Sequence, residues 1–369
     1  MSPDYDVLLA GYGPVGAVAA NLLGQAGLRA AVFEPTTSIY HLPRAAHFDS
    51  DVMAIFESVG LGEAIRPATA PIDAMDCVNA AGELLQRFTP PDGGAAYMFY
   101  QPDLERALRA GVERWPSVEV HLAQAVTGLT QHPTHVAVSV ADAETGLERD
   151  VTASYVLGCD GARSLVRAAL DVGLHDFGFD QPWLVVDTML KRAVDLPAVA
   201  QQICDPRRPA TFVPSAGNHR RWEFMLLPGE SPTAMEDPAT YLPLLARWVT
   251  LDDVDVVRAV VYTFHALVAE RWRDRRVLLL GDAAHQMPPF LGQGMCAGIR
   301  DAANLVPKLA TVLAGRAGDD HLDTYEAERR PHVEEIIGLA VNLGRFIQTT
   351  DPNVAAARDQ ELALSRSPA

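Results

Sequence analysis

The sequence has few cysteines and no cysteine motif. Among its 369 residues are four cysteines that lie far apart, with no CxxC pair and no spacing typical of Cys/His metal ligands: Cys77, Cys159, Cys204 and Cys296. A disulfide framework or a zinc site is therefore not expected. The composition fits a reducing compartment, and we predict a cytoplasmic protein without a bound metal.

Basic residues are also scarce. The chain has 30 Lys and Arg residues against 47 Asp and Glu residues, which gives a formal net charge of −17 at pH 7. A surface this acidic repels phosphate backbones, so nucleic acid is excluded as a partner. Hydrophobic residues make up 49% and charged residues 21% of the chain, a globular balance that excludes disorder, collagen repeats and a coiled coil.

The most hydrophobic stretch, residues 7–28, is not an uninterrupted apolar run. It contains five glycines together with Asn21 and Gln25, and it follows Asp4 and Asp6 instead of a basic segment. These features are typical of a strand, a turn and a helix, and they exclude a membrane span or a signal peptide. We predict a soluble protein that has no membrane partner.

The same stretch has the pattern of a βαβ unit. An apolar strand over residues 6–10 precedes Gly11-x-Gly13-x-x-Gly16, a helical segment follows, and a second strand ends at Glu34, 18 residues after Gly16. Such glycines allow a pyrophosphate to approach the helix N-terminus, and a carboxylate at this distance can bind a ribose 2′-hydroxyl. The unit predicts a dinucleotide site, and by itself it leaves NAD and FAD open.

Two further motifs follow predicted strands. The first is Gly158-Cys159-Asp160-Gly161-Ala162-Arg163-Ser164, and the second, residues 277–285, delivers Asp282 to a loop. An isolated carboxylate there is costly unless it is bonded, and a ribityl hydroxyl would bond it. Pro288-Pro289 and Gly292-Gln293-Gly294 then precede a long helix, whose first N–H groups could meet the N1–C2=O edge of a flavin.

With these three motifs in order, the chain resembles the class A flavoprotein monooxygenases, the single-component aromatic hydroxylases. The resemblance covers residues 6–342. Within that group, three runs are similar to the 3-(3-hydroxyphenyl)propionate hydroxylases and to hydroxylases of phenolic polyketides such as anthracyclines and tetracyclines: residues 40–45, 222–225 and 292–302.

The resemblance implies an α/β fold like that of p-hydroxybenzoate hydroxylase. A Rossmann-like FAD-binding domain, expected at 1–75, 100–180 and 272–350, is interrupted by a mostly antiparallel β-sheet substrate-binding domain at 76–99 and 181–271. Residues 351–369 are expected to form a C-terminal tail, in which Asp351 and Pro352 are typical of a helix start. The thioredoxin-like third domain of the similar hydroxylases is expected to be absent.

The resemblance also implies the cofactor residues. The glycine motif and Glu34 match the ADP-binding fingerprint, while Arg44 and Gln101 match contacts to the FAD phosphates and ribose. Asp160 with Gly161 matches a motif for both FAD and NAD(P)H, and Asp282 matches the ribityl-binding aspartate. The full expected set is Gly11, Gly13, Pro14, Val15, Gly16, Glu34, Arg44, Gln101, Asp160, Gly161, Asp282, Pro289, Gly292, Gly294 and Met295.

The implied function is an FAD-dependent monooxygenase that uses NAD(P)H and O₂ to hydroxylate a phenolic or polyketide substrate through a C4a-hydroperoxyflavin. One alternative is another flavin enzyme on this fold: a Baeyer–Villiger oxygenase, an oxidase or a dehydrogenase. The other is a non-catalytic protein that binds flavin or an aromatic ligand. The choice between NADH and NADPH stays open, because no second nucleotide-binding βαβ unit is visible, and a homodimer is considered.

A base or acceptor near the phenol is expected, because phenolate formation activates the ring. His47 and Asp49 are the candidates, although the favoured interpretation of His47 is a structural residue beside the cofactor loop, and a structural hydrogen bond is expected of His285. Side chains on predicted sheet strands are candidates for the substrate site: Phe212, Arg221, Trp222, Phe224 and Tyr262. Core packing is the default for each aromatic one, and the pair Arg220-Arg221 is either a partner for a substrate carboxylate or a solvated charge at a strand end.

Overall fold

The computed structural model describes residues 2–40, 44–90 and 94–366. In chain order its strands are β1 (Tyr5–Ala10), β2 (Ala30–Glu34), β3 (His47–Asp49), β4 (Thr69–Ile72), β5 (Met75–Val78), β6 (Leu84–Phe88), β7 (Ala96–Phe99), β8 (Val118–Leu122), β9 (Gln124–Gln131), β10 (Val136–Asp142), β11 (Glu148–Gly158), β12 (Leu174–Leu190), β13 (Ala200–Ile203), β14 (Ala210–Val213), β15 (His219–Met225), β16 (Val254–Ala269), β17 (Arg273–Asp274), β18 (Val277–Leu279) and β19 (His285–Gln286).

The helices are interleaved with these strands. They are α1 (Pro14–Gln25), α2 (Ser50–Ser58), α3 (Gly62–Ile65), α4 (Gln101–Val112), α5 (Leu165–Ala169), α6 (Pro232–Met235), α7 (Pro238–Leu245), α8 (Gly294–Leu313), α9 (Asp323–Ile347) and α10 (Pro352–Arg366). Short 3-10 helices lie at Arg66–Ala68, Gly281–Ala283, Pro289–Leu291 and Asp319–Leu322. Within the described ranges, no helix combines the length and the hydropathy that crossing a membrane requires.

The first sheet has the strand order β8-β2-β1-β11-β18-β17 and is parallel from β8 to β18. Its central strands are continuous apolar runs, as expected for parallel strands that are covered on both faces. β10 and β9 extend from β11 in antiparallel fashion. Because the strands are parallel, the carboxyl ends of β2, β1, β11 and β18 meet at one edge, where ligands bind in such folds.

The second sheet has the order β19-β16-β12-β15-β14-β13-β5-β6 and is antiparallel except for the β13–β5 pair. Side chains on one face pack with residues of α6 and α7 into a separate hydrophobic core. Those on the other face, including Trp183 and Met225, join the core of the first sheet. This second face, called the inner face below, therefore looks toward the dinucleotide-type domain.

The strand pairing differs in detail from the expected segments. Within 76–99, β6 lies in the second sheet but β7 pairs with β3 and β4 in a small third sheet. β12 begins before residue 181, and β19 returns to the second sheet after residue 271. Long-range pairing sets these positions, and the division into domains stays a prediction.

The C-terminal tail contains a helix that begins as expected. Asp351 Oδ1 accepts hydrogen bonds from the backbone N–H groups of Asn353 (2.8 Å) and Val354 (3.3 Å), and Pro352 is the first helical residue. The predicted helix start is confirmed. Arg358 of this helix donates to the backbone carbonyl oxygens of Phe346 and Cys204, which ties α10 to α9 and to the second sheet.

Candidate functional site

The glycine-rich turn lies at the carboxyl end of β1, and its three glycines meet different surroundings. A Cβ on Gly11, whose φ is +98°, would lie 2.5 Å from the carbonyl oxygen of Cys159, and one on Gly16 would lie 2.2 Å from the carbonyl oxygen of Gly11. A Cβ on Gly13 would meet nothing within 4 Å. Gly11 and Gly16 are thus required by internal packing, whereas Gly13 leaves open space at the N-terminus of α1.

The neighbouring end of β2 presents Glu34. Its Oε2 accepts from the backbone N–H of Tyr12 at 2.8 Å, and its Oε1 accepts from the Thr36 hydroxyl at 2.7 Å. These bonds hold the carboxylate beside the turn, where the sequence places a ribose-binding group. Pro14 opens α1, and Val15 packs against Gly281 of the third motif, with the Val15 Cγ2 3.1 Å from a Cβ built on Gly281.

The second motif turns at Asp160 and Gly161. Asp160 Oδ2 accepts from the backbone N–H of Val166 at 2.9 Å, and a Cβ on Gly161, whose φ is +78°, would enter open space. Arg167, which sequence reasoning missed, donates to the carbonyl oxygens of Ala162 (2.8 Å) and Ala283 (2.9 Å). The second and third motifs are therefore joined directly by one guanidinium group.

Asp282 lies at the carboxyl end of β18. Its side chain is exposed at the surface. The surrounding protein nevertheless removes part of the water around the carboxyl group, and this raises the pKa of Asp282. His285 and Arg44 lower that pKa by a smaller amount. Within the described part of the chain, its carboxylate has no hydrogen-bond partner. Such an exposed carboxylate offers acceptors to a polyol at the edge of the sheet where folds of this kind bind ligands, called the cleft below.

A buried ionic network supports this turn. Asp301 of α8 accepts from the backbone N–H of Gly281 (3.1 Å) and from Arg329 Nε (2.9 Å), and His285 Nε2 lies 2.7 Å from its Oδ2. Burial would raise the pKa of Asp301, but His285 and Arg329 outweigh burial and lower it. The structural interpretation of His285 fits these contacts. The one sequence signal for Asp301 is that it is an acidic residue among the apolar residues of α8.

Helix α4 connects the Arg44 segment to the glycine-rich turn. Gln101 Oε1 accepts from the backbone N–H groups of Arg44 (2.6 Å) and Ala45 (2.7 Å), and Gln101 Nε2 donates to Glu105. One turn further, Arg109 donates to the carbonyl oxygen of Tyr12 at 2.8 Å. The i, i+4 spacing of 101, 105 and 109 could have revealed this face of α4. Arg44 itself has an exposed side chain at the cleft.

The candidate bases pack behind the loop that precedes α8. His47 Nδ1 lies 2.9 Å from the place where Gly292, with φ +64°, would carry a Cβ, and burial lowers the His47 pKa. Asp49 accepts from the backbone N–H of Val52, from Gln293 and from Arg300 at 2.7 Å. Burial opposes ionisation of Asp49, but the bond to Arg300 prevails and lowers its pKa. Neutral His47 and fully engaged Asp49 thus hold this loop in place, and their catalytic role stays a prediction.

Helix α8 itself starts at Gly294 and Met295 after this loop. Its N-cap, Gln293, makes no capping hydrogen bond with its side chain, so the positive end of the helix is directed at the loop without that cap. Pro289 is exposed, whereas Phe290 is buried against Trp183 of the second sheet, with ring centroids 5.5 Å apart. The loop therefore lies between the two sheets.

The inner face of the second sheet carries a buried charged cluster. Asp187 accepts from Arg221 Nε at 2.8 Å and from Arg258 Nε at 2.5 Å, and it lies 2.8 Å from His219 Nε2. Arg258 also donates to the Tyr262 hydroxyl at 2.7 Å. The sequence candidates Arg221 and Tyr262 are thus joined through Asp187 and Arg258, two residues that sequence reasoning missed.

The other three aromatic candidates lie on the opposite face. Phe212, Trp222 and Phe224 are at most 1% exposed and pack with Trp248 in the second core. Alternation along β15 points Trp222 and Phe224 away from Arg221 and the cleft. Their position does not support the predicted contact with substrate and instead assigns them to core packing.

These features define a class of protein. They form the fold of the class A flavin hydroxylases. This fold combines a parallel sheet and its glycine-rich turn with Glu34 at the end of β2, the exposed Asp282, and the N-terminus of α8 near the second sheet. The open space at Gly13 and the unpartnered Asp282 carboxylate fit the pyrophosphate and the ribityl chain of FAD.

The chain belongs to the FAD binding domain family, whose model matches residues 4–340. It is 41% identical over 368 residues to a probable NADH-specific resorcinol 4-hydroxylase of Rhodococcus jostii, covering 98% of this chain and 69% of that protein. It is 39% identical to a 3-(3-hydroxy-phenyl)propionate/3-hydroxycinnamic acid hydroxylase of Mycobacterium avium, covering 96% and 63%. The chain thus spans about two thirds of the length of these relatives.

Solved structures have the same fold. Aklavinone-11 hydroxylase, in a ternary complex with FAD and aklavinone, superposes with a TM-score of 0.85 at 26% identity, covering 95% of this chain and 70% of that chain. The p-nitrophenol 4-monooxygenase PnpA of Pseudomonas putida DLL-E4 superposes with a TM-score of 0.89 at 24% identity, covering 99% and 94%. The predicted fold class and cofactor are confirmed.

Proposed function

We propose that this protein is an FAD-dependent monooxygenase that uses NADH and O₂ to hydroxylate a phenolic substrate. The observation that carries the proposal is the cleft at the carboxyl edge of the first sheet, where an unpartnered carboxylate and two helix N-termini lie opposite the inner face of the second sheet. FAD, when bound, supplies hydride acceptance from the nicotinamide and activation of O₂.

The residues around the cleft divide the work of holding FAD. The backbone at Gly13 and the N-terminus of α1 would bind the pyrophosphate, Glu34 a ribose, and the exposed Arg44 guanidinium a phosphate. Asp282 would accept hydrogen bonds from the ribityl chain. The backbone N–H groups at Gly294 and Met295 would stabilise negative charge on the flavin ring.

Gln101 and Asp301 would support this set through bonds within the protein. Gln101 fixes the backbone of the Arg44 segment, and Asp301 fixes the Gly281–Asp282 turn. Catalytic geometry depends on such supporting bonds, because small displacements of a binding group lower activity strongly. Asp49 would position α8 through Arg300, and neutral His47 is the remaining candidate for accepting a proton from the phenol.

The comparisons favour hydroxylation over the alternative flavin reactions. The relatives at 41% and 39% identity are both named as hydroxylases of phenolic compounds, and one is named as NADH-specific. We therefore extend hydroxylation of a phenol, with NADH as reductant, to this chain.

The test combines cofactor content with isotope labelling. The purified full chain is reconstituted with FAD, and NADH oxidation is measured with a panel of simple phenols under ¹⁸O₂. We expect bound flavin, phenol-stimulated NADH oxidation and one labelled oxygen atom in the product. Phenol-stimulated oxidation without label in any product would contradict the proposal and favour an oxidase, and failure to bind FAD would overturn the cofactor assignment in this chain.

A further inference from the structure

Glu223 is a buried acidic residue that the flavin site does not use. It lies in β15 between Arg221 and Met225 on the inner face, and it pairs with Val185 of β12 and Thr211 of β14. It is 6% exposed. Its nearest cation is Arg221, with Nη1 3.8 Å from Oε1, and its carboxyl group makes no hydrogen bond within the described ranges. Burial raises its pKa.

The neighbours of Glu223 lead to the loop before α8. Thr211, its partner on β14, donates from its hydroxyl to Gln202 Oε1 at 2.7 Å. Gln202 Nε2 in turn lies 3.5 Å from the carbonyl oxygen of Phe290. Glu223 therefore belongs to a row of polar side chains that crosses the inner face and ends at the loop preceding the helix we assign to the flavin ring.

The arginines beside Glu223 are already engaged. Arg221 directs Nε to Asp187 and Nη1 to the carbonyl oxygen of Arg44 (2.6 Å), while Arg258 directs Nε to Asp187 and Nη1 to Tyr262. Arg220, next to Arg221 in sequence, donates to the carbonyl oxygens of Ser215 and Gly217.

Binding a carboxylate in a bidentate manner requires a guanidinium fork that is free to meet it. Arg221 instead directs Nε and Nη2 to Asp187. Arg258 divides its guanidinium group between Asp187 and the Tyr262 hydroxyl. Two acidic side chains, Asp187 and Glu223, already share this face. The expectation that Arg221 binds a substrate carboxylate is therefore not supported by its contacts.

We propose that the Glu223 carboxyl group hydrogen-bonds a phenolic hydroxyl of the substrate, an inference that rests on the proposed function. The site then takes a dihydroxybenzene in preference to a phenol with a carboxylate side chain. An uncharged ring with a second hydroxyl offers Glu223 the donor it lacks and brings no charge to the Asp187 cluster. A carboxylate side chain would meet the like charges of Asp187 and Glu223, while the guanidinium groups of Arg221 and Arg258 are already engaged.

The test compares two probes on the FAD-loaded full chain: resorcinol and 3-(3-hydroxyphenyl)propionate. Their dissociation constants are measured by flavin absorbance titration and by the shift in thermal unfolding temperature. The variants are Glu223→Gln, which keeps a hydrogen-bonding group without charge, and Glu223→Leu, which removes both. Glu335→Gln, at an exposed position of α9, is the matched control.

We expect the unmodified protein and E335Q to bind resorcinol at least tenfold more tightly than the propionate. E223L should lower that preference about tenfold, the value of one lost hydrogen bond, and E223Q should tighten binding of the propionate. General damage from either substitution would weaken binding of both probes and lower FAD retention together, so FAD retention is measured for each variant.

An unmodified protein that binds the propionate as tightly as resorcinol, or an E223L variant with an unaltered ratio, overturns the Glu223 assignment while the hydroxylase proposal stands. Absence of phenol binding and of phenol-stimulated NADH oxidation in the FAD-loaded protein overturns both proposals.

Discussion

At the scale of single residues, the three glycines of the glycine-rich turn differ in how closely other atoms pack against them. Gly11 and Gly16 have backbone atoms of the same chain against them, whereas Gly13 faces open space at the start of α1. The sequence pattern treats the three alike. The structure separates residues needed for folding from a residue needed only for a ligand.

Two substitutions test this separation. Gly13→Val should leave the free energy of unfolding of the FAD-free protein within about 1 kcal/mol, because the residue is an N-cap with ordinary extended dihedrals. It should abolish FAD retention, because the new side chain occupies the space of the pyrophosphate. Gly16→Ala should destabilise the FAD-free protein by about 1–3 kcal/mol through overpacking against Gly11.

Urea unfolding and FAD equilibrium dialysis provide the measurements. If Gly13→Val retained FAD with unchanged affinity, the pyrophosphate would not lie at this turn. If both variants lost stability equally, the distinction between the two glycines would be wrong.

At the scale of elements, helix α8 has two roles, one at its N-terminus and one at Asp301. Its N-terminus points to the loop after Pro289, and Asp301, two turns later, holds the Gly281–Asp282 turn from below. His285 and Arg329 both contact the carboxylate of Asp301, which is 0% exposed. A polar residue in an apolar helix is thus explained by a contact distant in sequence.

Asp301→Asn should destabilise the protein by about 3–5 kcal/mol, because Arg329 keeps a buried charge without its counter-ion. The double variant Asp301→Asn with Arg329→Met should recover much of that loss, since the charge is removed as well. Denaturant unfolding of the FAD-free forms measures both. A double variant no more stable than the single one would show that the charge is not the cause.

At the scale of the whole molecule, two buried ionic clusters lie beneath the two sides of the cleft. Asp301 supports the first sheet and Asp187 the second. Burial opposes ionisation of each carboxyl group, but the hydrogen bonds and charges of their partners prevail and lower both pKa values. These partners are Arg221 with His219 and Arg258 for Asp187, and His285 with Arg329 for Asp301. Both sides of the site therefore depend on ionised carboxylates.

This arrangement predicts acid sensitivity. A carboxyl group whose pKa is lower in the folded than in the unfolded state stabilises the fold above its ordinary pKa of 3.8. That contribution is lost as the pH falls through the ordinary value toward the folded one. The free energy of unfolding should therefore begin to decrease below about pH 5 and should fall most steeply below about pH 4.

Urea unfolding at several pH values measures this slope. The Asp301→Asn, Arg329→Met double variant should have a shallower slope than the unmodified protein, because one of the two carboxylates is gone. Equal slopes in the two proteins would exclude Asp301 as a source of the pH dependence.

Much of the site could be predicted from the sequence because its signals are local. Gly13, Glu34 and Asp282 each follow or precede a strand within a few residues, and parallel strands bring their ends together without further information. The supporting residues had weaker signals. Arg167 donates to a carbonyl oxygen more than a hundred residues away in the chain, and Arg329 pairs with Asp301 about thirty residues away. No spacing rule in the sequence connects either arginine to its partner.

The sequence by itself determined that the cofactor is a dinucleotide, since glycine spacing and an acidic strand end are short-range properties of the chain. Only the tertiary structure decided which side chains of β15 face the cleft. Side chains alternate along a strand, so the pairing of β15 with β12 and β14 turns Trp222 into the core and Glu223 toward the flavin domain. That register depends on strands far apart in the chain, and it separates the residues that pack the sheet from those that can bind a substrate.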